Sequence, residues 1–233
     1  FNTLMKKYSI TNDQLVKKQK VWDNKFSVLK AKRQFPLIDK KIITSWNAQM
    51  ILGLLSSFEA FGEEQFLNQA KKIFSYLEEN LISRGKLMHT FQANESKIEA
   101  NLEDYAFVIK ASLGLYQNTG NTYYLEQANT LIQDAIINFE TTENPFFSYT
   151  ENPVLFSEII SIDDNVIPSA NSIMAENFWM LGHLLGNKDY STKAKKMIGR
   201  IVSYFNEGRG SNYSQWAQLI SKVAYSFKEV VIV

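Results

Sequence analysis

Three short stretches of this chain carry the residue types that could do chemistry. The first holds Asp39, Lys40, Trp46 and Asn47; the second Asn101, Glu103, Asp104 and Tyr105; the third Asp163, Asp164, Ser169 and Asn171. Each stretch stands where an apolar helical pattern begins. Backbone N–H groups at a helix start are unpaired and attract anions, so carboxylates there serve as caps or as site groups. On the capping reading, Asn101 caps its helix and Asp104 completes a capping-box-like pair. On the site reading, carboxylates accept hydroxyl hydrogens while aromatic rings cover C–H faces, which suits a polyhydroxylated ligand. Two carboxylates across a cleft could also act as acid and base in glycoside hydrolysis. Glu103, Asp104 and Asp164 are the candidate catalytic groups, with Glu103 or Asp104 as the acid/base. Trp46, Asn47, Tyr105, His89, Ser169 and Asn171 are the candidate ligand-binding groups. Core packing competes for Trp46, loop solvation for Asp163 and Asp164, and a surface ion pair for Asp39 and Lys40.

The chain has only two histidines. His89 falls in a loop beside the polar helix starts and could act as a base, or be structural. His183 falls near the C-terminal end of a helix, where packing or capping is the expected role. With no cysteine, thiolate metal sites, disulfides and thiol redox chemistry are excluded for this chain. No metal-ligand spacing, glycine-rich phosphate loop or Ser-His-Asp order stands out, so neither a metal nor a cofactor is expected.

The elements that must position these groups are helices. Periodicity places them at about 11–33, 44–61, 63–82, 102–118, 122–140, 169–185, 189–206 and 212–226. The helices at 44–61, 102–118 and 169–185 are apolar on most sides and belong inside an assembly; the one following each is amphipathic. Gly62, Phe66 and Ala70 recur as Gly120, Tyr124 and Ala128, and again as Gly186, Tyr190 and Ala194. Each glycine suits a left-handed helix cap. The unit is a hairpin of one inner and one outer helix, longer than tetratricopeptide or HEAT repeats. The excess lies in two long connections, 83–101 and 141–168, both at the end where the inner helices start. Connections of that length inside a domain usually carry function. Residues 86–91 and 146–150 within them read as short extended pieces. The predicted architecture is all-α: an incomplete (α/α) toroid whose mouth is formed by inner-helix starts and long loops.

With 233 residues, 45% of them hydrophobic, there is material for one large core or two modest ones. The chain reads as a single helical domain over 1–233. A basic leading helix spans 1–35, hairpins span 36–82, 101–140 and 169–206, and a final helix and strand span 212–233. Phe1 in place of Met, and Glu229–Val233 as a strand with nothing after it, read as the ends of a piece of a longer protein. Residues 1–41 carry a net charge of +8 and the remainder −7. A basic helix could meet nucleic acid, but few aromatics and no nucleic-acid motif accompany it, so neither nucleic acid nor a membrane is an expected partner. No apolar run reaches the ~18 residues of a membrane span, and no signal segment opens the chain. A cytoplasmic location is expected.

The segments Asp39–Asn47, Leu102–Phe107 and Pro168–Ser172, in that order, resemble the thioredoxin-domain-containing, spermatogenesis-associated protein 20-like family. Val230–Val233 is similar to that family's strand after its helical region. The resemblance implies an (α/α) toroid like those of N-acylglucosamine 2-epimerases and six-hairpin glycosidases, following a thioredoxin-like domain that this chain lacks. It thereby implies a sugar or other small polar ligand, with epimerase- or glycosidase-like activity. The alternative it leaves open is a non-catalytic helical scaffold that docks the thioredoxin-like domain or another protein. The sequence departs from the family at Ile38, where an acid is usual, and at Ala48 and Ala170, where glycines are. Losing glycine there narrows the approach of a ligand to the backbone.

Overall fold

A computed structural model describes residues 2–34, 36–83, 86–150, 159–205 and 210–225. It divides into two units, Phe1–Lys40 and Lys41–Val233. In the first, α1 (Asn2–Tyr8) precedes α2 (Asn12–Ala31). Thr11 starts α2 through a full capping box with Gln14. No residue of α2 is buried, and the rings of Trp22 and Phe26 meet on its surface, 5.9 Å apart. The periodicity predicted α2 within two residues at each end; α1 was not anticipated, being too short to show a period.

The second unit runs β1 (Ile42–Ile43), α3 (Thr44–Phe61), α4 (Glu64–Leu81), β2 (Ile82–Ser83), β3 (Lys86–Gln92), β4 (Glu95–Glu99), α5 (Leu102–Thr119) and α6 (Thr122–Phe139). It then continues through α7 (Ala170–Leu184), α8 (Lys188–Phe205), a 3-10 turn (Gly210–Asn212) and α9 (Ser214–Ala224). Each predicted hairpin is present: α3 with α4, α5 with α6, α7 with α8. The helices α3, α5, α7 and α9 pack side by side as an inner row. The sequence explains the layering. α5 buries residues on all its sides, including Tyr105, Phe107, Ile109 and Leu113, whereas α4 buries one stripe, Leu67, Ala70, Phe74, Leu77 and Leu81. Gly62 and Gly120 end α3 and α5 with φ of 69° and 66°, the left-handed cap that the repeat implied. A Cβ on Gly114 would stand 2.8 Å from the Leu55 side chain, so glycine there sets how closely α5 approaches α3.

The strands form one antiparallel patch at the inner-helix starts, in the order β1-β3-β2 with β4 on β3. Ala93 and Asn94, both at positive φ, turn β3 into β4. The piece expected at 146–150 is not a strand: Phe147 makes one isolated bridge to Glu140. The final helix begins at Ser214 rather than 212, because Gly210–Asn212 forms the 3-10 turn. The strand expected at 230–233 lies outside the described residues. Among the described residues no helix is long and apolar enough to cross a membrane.

Candidate functional site

The start of α5 is built around Asp104. Asn101 caps the helix, its Oδ1 accepting from the N–H groups of Glu103 (3.0 Å) and Asp104 (3.3 Å), and Asp104 Oδ2 accepts from Asn101 N–H (3.1 Å). The capping reading therefore holds, but Asp104 does more. Its Oδ1 accepts from Ser45 N–H (2.9 Å) in the first turn of α3, and its Oδ2 stands 2.8 Å from His89 Nδ1 on β3. One fully buried carboxylate thus ties two helix starts and a strand together.

A carboxylate at Nδ1 places the imidazole proton there and leaves Nε2 for exchange with other groups. The hydrogen bond to Asp104 is the main cause raising the His89 pKa above its ordinary value; burial opposes it, the charges of Asp104 and Glu103 add to it, and Lys41 works against it. Glu103, one residue before Asp104, is half-buried at the same helix start.

The start of α7 repeats the device. Asp164 Oδ1 accepts from Ser169 N–H and Ser172 Oγ–H, both at 2.9 Å, and its Oδ2 accepts from Gln215 N–H at the start of α9 (2.8 Å). Asp164 is therefore bound into two helix starts, as Asp104 is. Between the starts of α5 and α7 lies a cavity of about 130 Å³, lined by Glu103, Tyr149, Ser161, Asp163, Asn165, Ser169 and Asn171 among others. Burial holds the Tyr149 hydroxyl above its ordinary pKa, with the charges of Glu103 and Asp104 adding to the effect, so it remains a hydrogen-bond donor.

The sequence-predicted residues thus divide. Glu103, Ser169 and Asn171 line the cavity; His89 does not, and it meets the same helix start through Asp104. Asn171 is also spoken for: its amide spans Phe147 and Ser161, with three hydrogen bonds between 2.8 and 3.0 Å. Asp104 and Asp164 do not line the cavity. Tyr105 is 3% exposed and packs edge-on against Phe139 in the core. Asn47 donates back to Ile43 O at the start of α3 (2.9 Å). Trp46 is 65% exposed at that same start, not in the core, and outside the cavity. Sequence reasoning missed Tyr149, Ser161 and Asn165; the aromatic run at 146–150 signalled the first, and the length of the 141–168 connection was the one signal for the other two. Among the described residues no group of three or more His, Asp or Glu is placed to hold a metal ion.

Inner helices side by side, each backed by an outer partner, with polar helix starts gathered at one end, define an (α/α) toroid, here in part. Solved structures agree on the fold. A glycoside hydrolase family 76 α-mannanase from Bacteroides thetaiotaomicron superposes with a TM-score of 0.57 at 13% identity, over 72% of this chain and 45% of that one. Cellobiose 2-epimerase from Bacillus thermoamylovorans does so with 0.57 at 12% identity, over 70% and 45%. An inactive α-1,6-mannanase of Salegentibacter, solved with α-1,6-mannotriose, does so with 0.55 at 14%, over 69% and 47%.

In sequence, the chain is a homologue of spermatogenesis-associated protein 20. The rat protein is 31% identical over 169 residues, 67% of this chain and 21% of that protein, and the human one 29% over 174 residues, 69% and 22%. An uncharacterised Caenorhabditis elegans protein is 28% identical over 175 residues, 72% and 24%. The chain therefore spans about a fifth to a quarter of the length of these relatives. No protein-family model matches it.

Proposed function

We propose that the mouth binds a carbohydrate and moves a proton on it. The observation that carries this reading is the start of α5, where Glu103 lines a polar cavity and the adjacent, buried Asp104 holds His89 through Nδ1. An imidazole with one nitrogen fixed by a carboxylate and the other left to exchange suits general acid–base work near neutral pH. Asp104 then acts as a positioning residue and His89 as the proton carrier. Glu103 accepts a sugar hydroxyl or serves as the second carboxylate of the pair. Tyr149 donates, Asp163 accepts, and Ser169 and Asn171 shape the wall.

The cavity is smaller than the ~300–1,000 Å³ clefts that enclose drug-sized ligands, so it takes the edge of one sugar ring. The solved neighbours named for mannan hydrolysis and for cellobiose epimerisation share this fold, which is consistent with a sugar ligand.

Isothermal titration of the wild type and Glu103→Gln against a panel of mono- and oligosaccharides tests the proposal. Wild type binds at least one sugar, and Glu103→Gln binds it about 10-fold or more weakly, as expected when a charged acceptor becomes neutral. No binding by wild type to any sugar overturns it.

A further inference from the structure

Among the described residues four glycines stand inside helices, where glycine is destabilising relative to alanine and asks for a reason. Gly114 and Gly182 have one: an added Cβ would crowd Leu55 or Ser191, so each sets how closely two helices approach. Gly53 and Gly199 do not. An added Cβ at either meets no atom within 4 Å, and each lines a cavity. Gly53 opens on the inner row, where both lining cations, Lys110 and Lys222, already pair with Glu176. Gly199 opens on the exposed side of α8, in the wall of a groove of about 570 Å³ between that helix and the loop that follows α6. That volume falls in the range of small-molecule sites.

This outer groove holds cations with nothing to bind. Lys193 pairs with Glu140, but neither Lys196 nor Arg200 has a hydrogen-bond or ion-pair partner among the described residues. The three basic residues recur at i, i+3 and i+7, on one side of α8, beside the bare backbone of Gly199. The opposite wall is preformed. The Thr141 hydroxyl lies 3.0 Å from the carbonyl oxygens of both Asn144 and Phe146, Phe146 N–H donates to Asn144 Oδ1 (3.1 Å), and the buried Phe147 lines the groove beside them. Arginine offers a planar fork and lysine a point charge, the two donor types that take phosphate oxygens. Across the groove, the exposed Thr142 and Glu143 are placed to take hydroxyl groups. The mouth has the opposite charge: Glu103 and Asp163 line it, with no cation among its described lining, so a phosphate is repelled there.

We infer that the outer groove is a second binding site, for the phosphate monoester of a small sugar or polyol, with the phosphate over Gly199 at Lys196 and Arg200 and the hydroxyls at Thr142 and Glu143. Isothermal titration at low salt with inorganic phosphate and with glucose 6-phosphate tests it. Wild type binds glucose 6-phosphate about 10-fold or more tightly than inorganic phosphate, through the hydroxyl contacts to a charged acceptor. Lys196→Gln and Arg200→Gln each weaken that binding about 10-fold or more. Gly199→Leu fills the groove from an open helical position and abolishes it, while melting at or above the wild-type temperature, since leucine favours the helix. Lys195→Gln removes an exposed cation outside the lining and changes the affinity less than about two-fold. No binding of glucose 6-phosphate, equal affinity for inorganic phosphate, binding that survives Gly199→Leu, or an equal loss in Lys195→Gln overturns the inference. Each of these outcomes leaves the carbohydrate reading of the mouth standing, because that reading is measured through Glu103→Gln.

Discussion

Asp104 shows how one side chain can serve architecture and chemistry together. Its oxygens take the N–H groups of Ser45 and Asn101 and face His89 Nδ1, and Ser45 is only 1% exposed, so bulk solvent does not reach that N–H. A buried N–H left unpaired costs about 1–3 kcal/mol, and a lost cap about 0.5–2. Asp104→Ala is therefore expected to lower unfolding stability by about 2–5 kcal/mol, read from urea melts. Asp104→Asn separates the two duties. It keeps one acceptor, for Ser45, but turns an NH₂ toward a second donor at His89. The imidazole then loses the partner that raises its pKa, and its titration by NMR moves down toward the ordinary 6.5. If His89 titrates unchanged in Asp104→Asn, the positioning role is wrong.

At the scale of elements, the chain's own patterning made six helices, α3 to α8, legible within a residue or so at each end. The reason is local: glycine caps and apolar periodicity act within one turn. The hairpin of β3 and β4 was half legible, since its turn uses Ala93 and Asn94 in place of a glycine pair. The candidate site was legible as residue types but not as roles. Asp104 meets Ser45 across 59 residues and His89 across 15, and no local pattern encodes which of two adjacent carboxylates is turned inward. Glycines that look alike in sequence differ for the same reason. Gly120 has φ of 66° with nothing near an added Cβ, so Gly120→Ala costs only the left-handed backbone, about 1 kcal/mol. A Cβ on Gly182 would stand 2.4 Å from Ser191 Oγ and 2.8 Å from the Ser191 backbone nitrogen, where α7 meets α8. Relief there means parting the two helices, so Gly182→Ala is expected to cost more, about 2–3 kcal/mol. Equal thermal shifts for the two variants would refute this reading of the hairpin.

At the scale of the whole second unit, two titrating hubs join the inner row. Asp104 and His89 link α3, β3 and α5; Glu176 on α7 binds Lys110 of α5 and both Gln215 and Lys222 of α9. Each hub spans inner helices, so each couples its proton to unfolding of the row. Burial pushes the Glu176 carboxyl up, but the ammonium groups of Lys110 and Lys222 outweigh it and hold the pKa below the ordinary 4.5. Its contribution is present above that value and is lost as pH falls through the depressed one. His89 has the opposite sign. Its pKa is raised above 6.5, so its contribution is full below 6.5 and is lost as pH rises through the raised value. Glu78 and Asp134, whose pKa values burial raises, blunt the acid limb without reversing the alkaline one. Stability is therefore expected to peak between about pH 5 and 6.5 and to fall on both sides. Urea midpoints across pH measure it. His89→Gln should flatten the alkaline limb alone and Glu176→Gln the acid limb alone, because the two hubs share no partner. If either substitution instead lowers the whole curve in parallel, its hub contributes packing and not a proton-linked tie.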